Sequence, residues 1–243
     1  MSSIDMTDVR PAALAAHLFD LDGVITPTAL LHMKAWKEMF DDELAHRGVT
    51  EPYTDADYFT HVDGRPRYDG VRAVLASRGI ELPEGDPSDP ADAETVCGLG
   101  NRKNDLVMAL IREDGVAPYP GTVRYLDSLP AEARLAVVSS SRNAREVLES
   151  AGLLDRFETI VDGNVAARAG LPGKPEPDTY LHGAALLGVE PSDCVVYEDA
   201  TSGVAAGAAG GFGAVVGVDR GAGRDALAAA GATLVVSDLE ELA

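Results

Sequence analysis

Apolar positions follow two rhythms along this chain. Over residues 30–113 they recur at helical spacing; beyond residue 120 they gather into short runs, each separated from the next by a stretch of helical spacing. One run stands alone at 16–20 and closes on Asp20-Leu21-Asp22-Gly23, which predicts a buried strand ending at a glycine turn. In the first helical stretch, 27–47, Trp36, Met39, Phe40 and Leu44 share one stripe, and Gly48 marks the stop. Helices are also predicted around 68–78 and 94–113, separated by residues 81–92, where Pro83, Pro87 and Pro90 forbid continuous helix.

From Pro118-Tyr119-Pro120-Gly121 onward, helices and strands alternate. The pattern predicts helix 122–129, strand 135–138, helix 142–151, strand 158–161, helix 178–187, strand 194–197, a helix of small residues from Thr201, strand 214–218, helix 225–230 and strand 234–236. Short apolar strands alternating with helices imply a parallel sheet covered on both faces, the α/β class. The strand at 16–20 needs that sheet for a partner. Residues 30–113 therefore read as a helical domain inserted into an α/β domain formed by 1–29 and 114–243. The Gly/Ala-rich residues 203–211 read as a helix packed closely on the sheet rather than as a linker.

Composition narrows the partners. Forty acidic against 20 basic side chains give a formal charge of −20, with 46% of residues hydrophobic. That excludes a disordered tail and a nucleic-acid binder relying on bulk positive charge. No stretch offers ~20 consecutive strongly apolar residues, so no membrane span is predicted. The polar, acidic first ten residues lack the basic start and apolar core of a signal peptide, which points to the cytoplasm. Cys97 and Cys194 are too few for a disulfide framework or a four-thiolate metal site and read as two buried thiols in a reducing compartment. The basic residues are 16 Arg and four Lys: Lys34, Lys37, Lys103 and Lys174.

In an open parallel sheet, ligands bind outside the carboxyl ends of the strands. The residues there are Asp20 and Asp22, Ser139 to Arg142, Asp162, and Glu198 with Asp199. Together with Lys174 in Gly-Lys-Pro-Glu-Pro-Asp, they suit a divalent cation beside a phosphate group. A hard cation such as Mg²⁺ takes carboxylate and carbonyl oxygens plus water. Asp20 and Asp22 stand two positions apart at a strand end, where one can act as nucleophile and the other as general acid/base. Taken alone, an Asp-x-Asp is a turn or a cap.

Phe19-Asp20-Leu21-Asp22-Gly23-Val24-Ile25-Thr26 resembles the first motif of the haloacid dehalogenase (HAD) phosphotransferases, and Ser139, Lys174 and Glu198-Asp199 fit the second, third and fourth motifs in order. The resemblance covers essentially the whole chain. It implies a Rossmann-like core of parallel sheet with helices on both faces, plus an inserted helical cap. It also implies a covalent aspartyl-phosphate: Asp20 attacks phosphorus, and Asp22 protonates the leaving oxygen and later deprotonates the incoming one. Asp20, the backbone carbonyl of Asp22, Glu198 and Asp199 would hold Mg²⁺ directly or through water, while Ser139 and Lys174 bind the transferring phosphoryl oxygens. Negative charge must be neutralised before a carboxylate can approach a phosphate dianion.

The insertion looks like the four-helix cap of the β-phosphoglucomutase branch, with the nearest likeness in 20–36, Arg102-Lys103-Asn104-Asp105, Tyr119-Pro120-Gly121 and Ser139-Ser140-Ser141-Arg142-Asn143. By that resemblance Thr28 and His32 contact the hinge of the general acid/base, with Lys103 near them. Trp36, the stretch 64–69 including Gly64 and Arg67, and Ser140, Ser141, Arg142 and Asn143 match positions that bind the hexose phosphate. Arg67 would grip the phosphate that is not being transferred. The implied activity interconverts β-D-glucose 1-phosphate and glucose 6-phosphate through a bound 1,6-bisphosphate. A sugar-phosphate phosphatase would share the first half-reaction, with water as acceptor. A non-catalytic phosphosugar-binding module is a third reading, opposed by the presence of both Asp20 and Asp22. The expected partner is a small-molecule sugar phosphate, with no nucleic acid, no membrane, and a monomer or weak homo-oligomer.

Each position also has a plainer reading. Trp36 fits the apolar stripe as core, His32 a surface or a satisfied histidine, Arg65 and Arg67 a solvated loop, and Ser139 a helix N-cap, a role compatible with phosphate binding. Lys34 and Lys37 read as exposed helix charges, and His61 and Asp63 border the substrate-selecting stretch without an assigned role. The chain departs from the branch in Pro27, where an acidic residue usually precedes Thr28, in Arg142, where a lysine is usual, and in residues 166–173, a few residues longer than usual before Lys174 and read as a loop. The charge of −20 does not oppose phosphate binding, since distant surface charge is screened beyond ~8 Å at physiological salt and local cations decide.

Overall fold

The computed structural model describes residues 11–243. The first ten, on which the absence of a signal peptide was read, lie outside them. The chain divides into two compact units, one of residues up to Pro27 with Ala117–Ala243, the other Thr28–Val116.

The first unit is built on six strands: β1 (Ala16–Phe19), β2 (Arg134–Val138), β3 (Thr159–Val161), β4 (Cys194–Glu198), β5 (Ala214–Val218) and β6 (Leu234–Val236). Their order is β3-β2-β1-β4-β5-β6, every pair parallel. β1 is central, pairing Phe19 with Val137 of β2 on one side and with Tyr197 of β4 on the other. That explains why all four of its residues are buried. Strand order runs outward in opposite directions from the β1/β4 boundary, and this switch opens a crevice at the carboxyl ends. The residues directly past those ends are Asp20 and Asp199.

Alternation along the strands sorts side chains to two faces. Ala16, Leu18, Val138 and Val196 meet Tyr180, Ala184 and Leu187 of α8 (Asp178–Leu187) and Val204 of α9 (Thr201–Ala209). On the opposite face, His17, Phe19 and Tyr197 meet Tyr125 of α5 (Pro120–Ser128) and Phe157, with the Phe19 and Tyr197 rings stacked 4.4 Å apart. His17 Nδ1 lies 2.9 Å from the Tyr197 hydroxyl, which in turn pairs with the Tyr125 hydroxyl at 2.5 Å. Fully burying one such large side chain contributes about 1.5–3 kcal/mol. α9 is the small-residue helix expected at 203–211. Gly207 lies against Val196 and Val215, with no room for a larger side chain without displacement.

The second unit holds four helices among the described residues: α1 (Thr28–His46), α2 (Asp55–His61), α3 (Arg67–Ser77) and α4 (Val96–Asp114). Their shared core gathers Trp36, Met39, Phe40, Tyr53, Val71, Leu75 and Leu99. α2 was not foreseen. Only Tyr58 of its seven residues is buried, so no apolar stripe marks it, yet Thr54 and Asp57 form a reciprocal capping box that was readable as Thr-x-x-Asp. A second correction concerns 166–173, read as a loop: its first part belongs to α7 (Gly163–Ala169). Asp162, counted among the candidate strand-end carboxylates, caps that helix by accepting from the amides of Asn164 and Val165. The fold is completed by α6 (Ala144–Ser150) after β2 and α10 (Arg224–Ala230) between β5 and β6.

Candidate active site

In the first unit, Asp20 follows β1 directly, its backbone amide still donating to Tyr197 O at 2.9 Å, so the sheet carries it to the crevice as an extension of the strand. Its carboxylate Oδ1 accepts from Lys174 Nζ at 2.5 Å, and the same ammonium lies 2.5 Å from Glu198 Oε1 and donates to Val138 O at 3.2 Å. Lys174 thus joins the ends of three neighbouring strands. Asp20, Glu198 and Asp199 are all buried, and one carboxylate oxygen from each lies within 4.8 Å of the others. A compact, all-oxygen donor set of this kind fits a hard divalent cation.

Burial raises the Asp20 pKa well above the usual carboxylate range; Lys174 opposes the shift, and Glu198 and Asp22 add to it. Burial alone would favour a neutral Lys174, but Asp20 and Glu198 overrule it and hold the ammonium protonated. Glu198 is further fixed by Tyr180, whose hydroxyl donates to Oε1 at 2.8 Å, and by the Ala200 amide, which donates to Oε2 at 3.3 Å. Gly203 in the first turn of α9 lies against this carboxylate, where any Cβ would collide with it.

Asp22 is partly exposed in the loop that follows, and Gly23 beside it has a φ of +88° and abuts the Asp199 carboxylate. Ser139, buried at the end of β2, accepts from the Ser141 amide at 3.1 Å, and Ser141 Oγ accepts from the Asn143 amide at 3.2 Å. The Ser139 hydroxyl therefore caps its own turn. Ser140, Arg142 and Asn143 are partly exposed on the same turn, and the Arg142 carbonyl accepts from the Asn164 side chain at 2.8 Å. Ten of the expected site residues thus belong to this unit.

The remaining expected residues belong to the helical unit. Thr28, His32 and Trp36 repeat every four positions on one stripe of α1. Lys103 on α4 reaches that stripe: its Nζ lies 2.5 Å from His32 Nδ1 and 4.8 Å from the centroid of the Trp36 ring. Of the chain's four lysines, Lys103 and Lys174 are 4% and 3% exposed, whereas Lys34 and Lys37 are exposed, the latter paired with Asp41 at 2.7 Å. Gly64, with φ +70°, turns the chain between α2 and α3. Arg67 opens α3, and its guanidinium donates to Asn104 Oδ1 at 2.5 Å and Asn101 Oδ1 at 3.4 Å. The side-chain carbonyls of Asn101 and Asn104 are thus among the groups that hold this arginine.

Several groups were missed in the sequence. No motif singled out Tyr180, which sits on the buried stripe of α8; the signal was a buried phenol, which requires a partner for its hydroxyl. Asn101 was not singled out, and Asn104 entered only as part of the Arg102-Lys103-Asn104-Asp105 likeness, with no role of its own. Arg220 lies at the end of β5, where no motif drew attention to it.

A family model described as haloacid dehalogenase-like hydrolase matches residues 14–211. The chain is 52% identical to a β-phosphoglucomutase of Mycobacterium bovis over 96% of its own length and 92% of the relative's. It is 32% identical to the fructose-1-phosphate phosphatase YqaB of Escherichia coli, covering 83% of this chain and 95% of that one. Among solved structures, a β-phosphoglucomutase from Clostridium difficile superposes with a TM-score of 0.76 at 27% identity, covering 95% of this chain and 93% of the other. The chain belongs to the haloacid dehalogenase-like hydrolase family.

Proposed function

We propose that this enzyme acts as a β-phosphoglucomutase, moving a phosphoryl group on a hexose phosphate through Asp20. The observation that carries the proposal is the extent of the 52% identity, which spans 96% of the chain and hence both units rather than the strand-end motifs alone. The α/β unit is the catalytic core and the helical unit its cap.

In the working cycle the 6-hydroxyl of β-glucose 1-phosphate attacks the phosphoryl group held on Asp20. Asp22 takes the hydroxyl proton as the Asp20 oxygen–phosphorus bond breaks, giving the 1,6-bisphosphate. After the sugar reorients, Asp20 attacks the 1-phosphoryl group, and Asp22 returns the proton to the leaving sugar oxygen. Glucose 6-phosphate departs and the phosphoenzyme is restored. Lys174 opposes the rise that burial imposes on the Asp20 pKa and offers its ammonium to the phosphoryl oxygens, as the Ser139 hydroxyl does its proton. Asp20, Glu198, Asp199 and the Asp22 carbonyl would hold Mg²⁺, which when bound neutralises charge on the phosphoryl group and on the carboxylates around it. Arg67, presented by Asn101 and Asn104, binds the phosphate that is not being transferred. In the helical unit, Thr28, His32 and Lys103 are the positions that the resemblance assigns to the general acid/base hinge, and Trp36 and Gly64 are those it assigns to the sugar; in the α/β unit it assigns Ser140 to Asn143 to the sugar.

The likeness to a fructose-1-phosphate phosphatase supports one rival, with water as acceptor in the second half-reaction. Incubation with β-glucose 1-phosphate, Mg²⁺ and a trace of the 1,6-bisphosphate separates the two. The mutase releases glucose 6-phosphate; free phosphate without isomer establishes the phosphatase.

A further inference from the structure

We propose that Arg220 is a positioning residue that sets the proton-transfer loop, an inference that rests on the reading of Asp22 as general acid/base. The loop after Asp22 is gripped at three successive carbonyls. Gly23 O accepts from Arg220 Nε at 3.1 Å, Val24 O from the Thr122 hydroxyl at 2.7 Å, and Ile25 O from the Tyr119 amide at 2.9 Å. The loop also closes on itself, the Gly23 amide donating to Thr26 O at 2.8 Å. Of the three outside donors, Arg220 reaches the carbonyl nearest Asp22.

Arg220 is itself fixed on every side. One terminal nitrogen donates to Ser237 O at 2.9 Å, the other to Asp238 Oδ2 at 3.0 Å, and the guanidinium lies over the Tyr119 ring with Cζ 3.9 Å from its centroid. All three side-chain nitrogens and one planar face are in use, so the carbonyl of Gly23 is held against the C-terminal segment and the start of α5 at once. A lysine at 220 has one compact ammonium and cannot replace the planar fork.

The consequence for chemistry passes through Gly23. Its φ of +88° and its contact with the Asp199 carboxylate leave it no room to shift toward the buried acids. With the carbonyl released by Arg220, the loop loses the tether nearest Asp22 while the bonds at Val24, Ile25 and the Gly23 amide remain, so the slack falls on the Asp22 side. Proton transfer needs heavy atoms within about 2.6–3.2 Å, so a small displacement removes it. Phosphoryl attack by Asp20 is anchored separately, by the sheet and by Lys174.

This separation supplies the test. Acetyl phosphate expels acetate, a weak base that needs no proton, whereas the 1,6-bisphosphate expels a sugar alkoxide that does. Single-turnover phosphorylation of the enzyme by each donor is followed by intact-protein mass for wild type, Arg220→Gln and Arg220→Lys. General acid/base help is worth 10²–10⁴-fold, and a misplaced Asp22 is expected to forfeit part of it: phosphorylation by the bisphosphate falls about 30-fold in Arg220→Gln, phosphorylation by acetyl phosphate less than about 3-fold, with Arg220→Lys between. Equal loss on both donors, or loss on neither, overturns the proposal. If Arg220→Gln melts below the assay temperature, Arg220→Lys alone carries the comparison. Asp22→Asn is run alongside. If that variant shows no preference for acetyl phosphate, the assignment of Asp22 itself fails, a result distinct from failure of Arg220.

Discussion

Lys174 Nζ lies 2.5 Å from Asp20 Oδ1, with both groups buried at the centre of the sheet's carboxyl edge. A buried ion pair is weak evidence for stability but strong evidence for dependence, because removing one partner strands the other in a low dielectric. Lys174 is shared with Glu198, so its loss strands two carboxylates. Lys174→Met is expected to destabilise the fold by about 3–5 kcal/mol at pH 8 and by clearly less at pH 5. The sign follows from Asp20, whose pKa burial already raises and Lys174 lowers; without the lysine, protonation relieves the site as pH falls. Denaturant titrations at the two pH values check this, and equal destabilisation at both contradicts it.

Tyr180 acts on the acidic triad through Glu198, its hydroxyl donating to the same Oε1 that the Lys174 ammonium meets. Groups one layer behind a metal ligand typically alter affinity 10- to 100-fold when removed. Tyr180→Phe keeps the ring and loses one bond, so Mg²⁺ is expected to bind about 10-fold more weakly by calorimetry, with stability reduced by about 1 kcal/mol. Unchanged Mg²⁺ affinity would separate Tyr180 from the metal site.

His17 gives the core a pH dependence of its own. Burial lowers its pKa from 6.5 to about 4, against a smaller opposing effect of the Leu14 backbone. Between those values the unfolded chain binds a proton that the native state refuses. The contribution is therefore fully present above pH 6.5 and is lost as pH falls toward 4, a gap worth about 3 kcal/mol. His17→Phe is expected to flatten the fall in stability between pH 7 and pH 5 relative to wild type. An identical slope in the two proteins would place the acid sensitivity elsewhere.

The sheet was legible because each strand is a short apolar run ending in polar residues, and the strand-end rule then selected Asp20, Ser139, Glu198 and Asp199 without reference to contacts. The scarcity of lysine helped: two of the four lysines are the buried pair, Lys103 and Lys174. What escaped depends on pairing across long sequence separations. Arg220 finds Gly23 from 197 residues away, and Tyr180 finds Glu198 across a strand and a helix, relations that no local period encodes. α2 and α7 escaped for a different reason: each is marked by its cap, Thr54 or Asp162, rather than by an apolar stripe, with one buried residue in α2 and none in α7.

The central claim is that Asp20 passes its phosphoryl group to a sugar rather than to water. The enzyme is first loaded with a labelled phosphoryl group from the 1,6-bisphosphate, freed of excess donor, and mixed with unlabelled β-glucose 1-phosphate and Mg²⁺ in a rapid-quench instrument. The account predicts that label moves from the protein into hexose bisphosphate and then glucose 6-phosphate faster than it appears as inorganic phosphate. Release of the label as inorganic phosphate, at a rate indifferent to the added sugar, would contradict it.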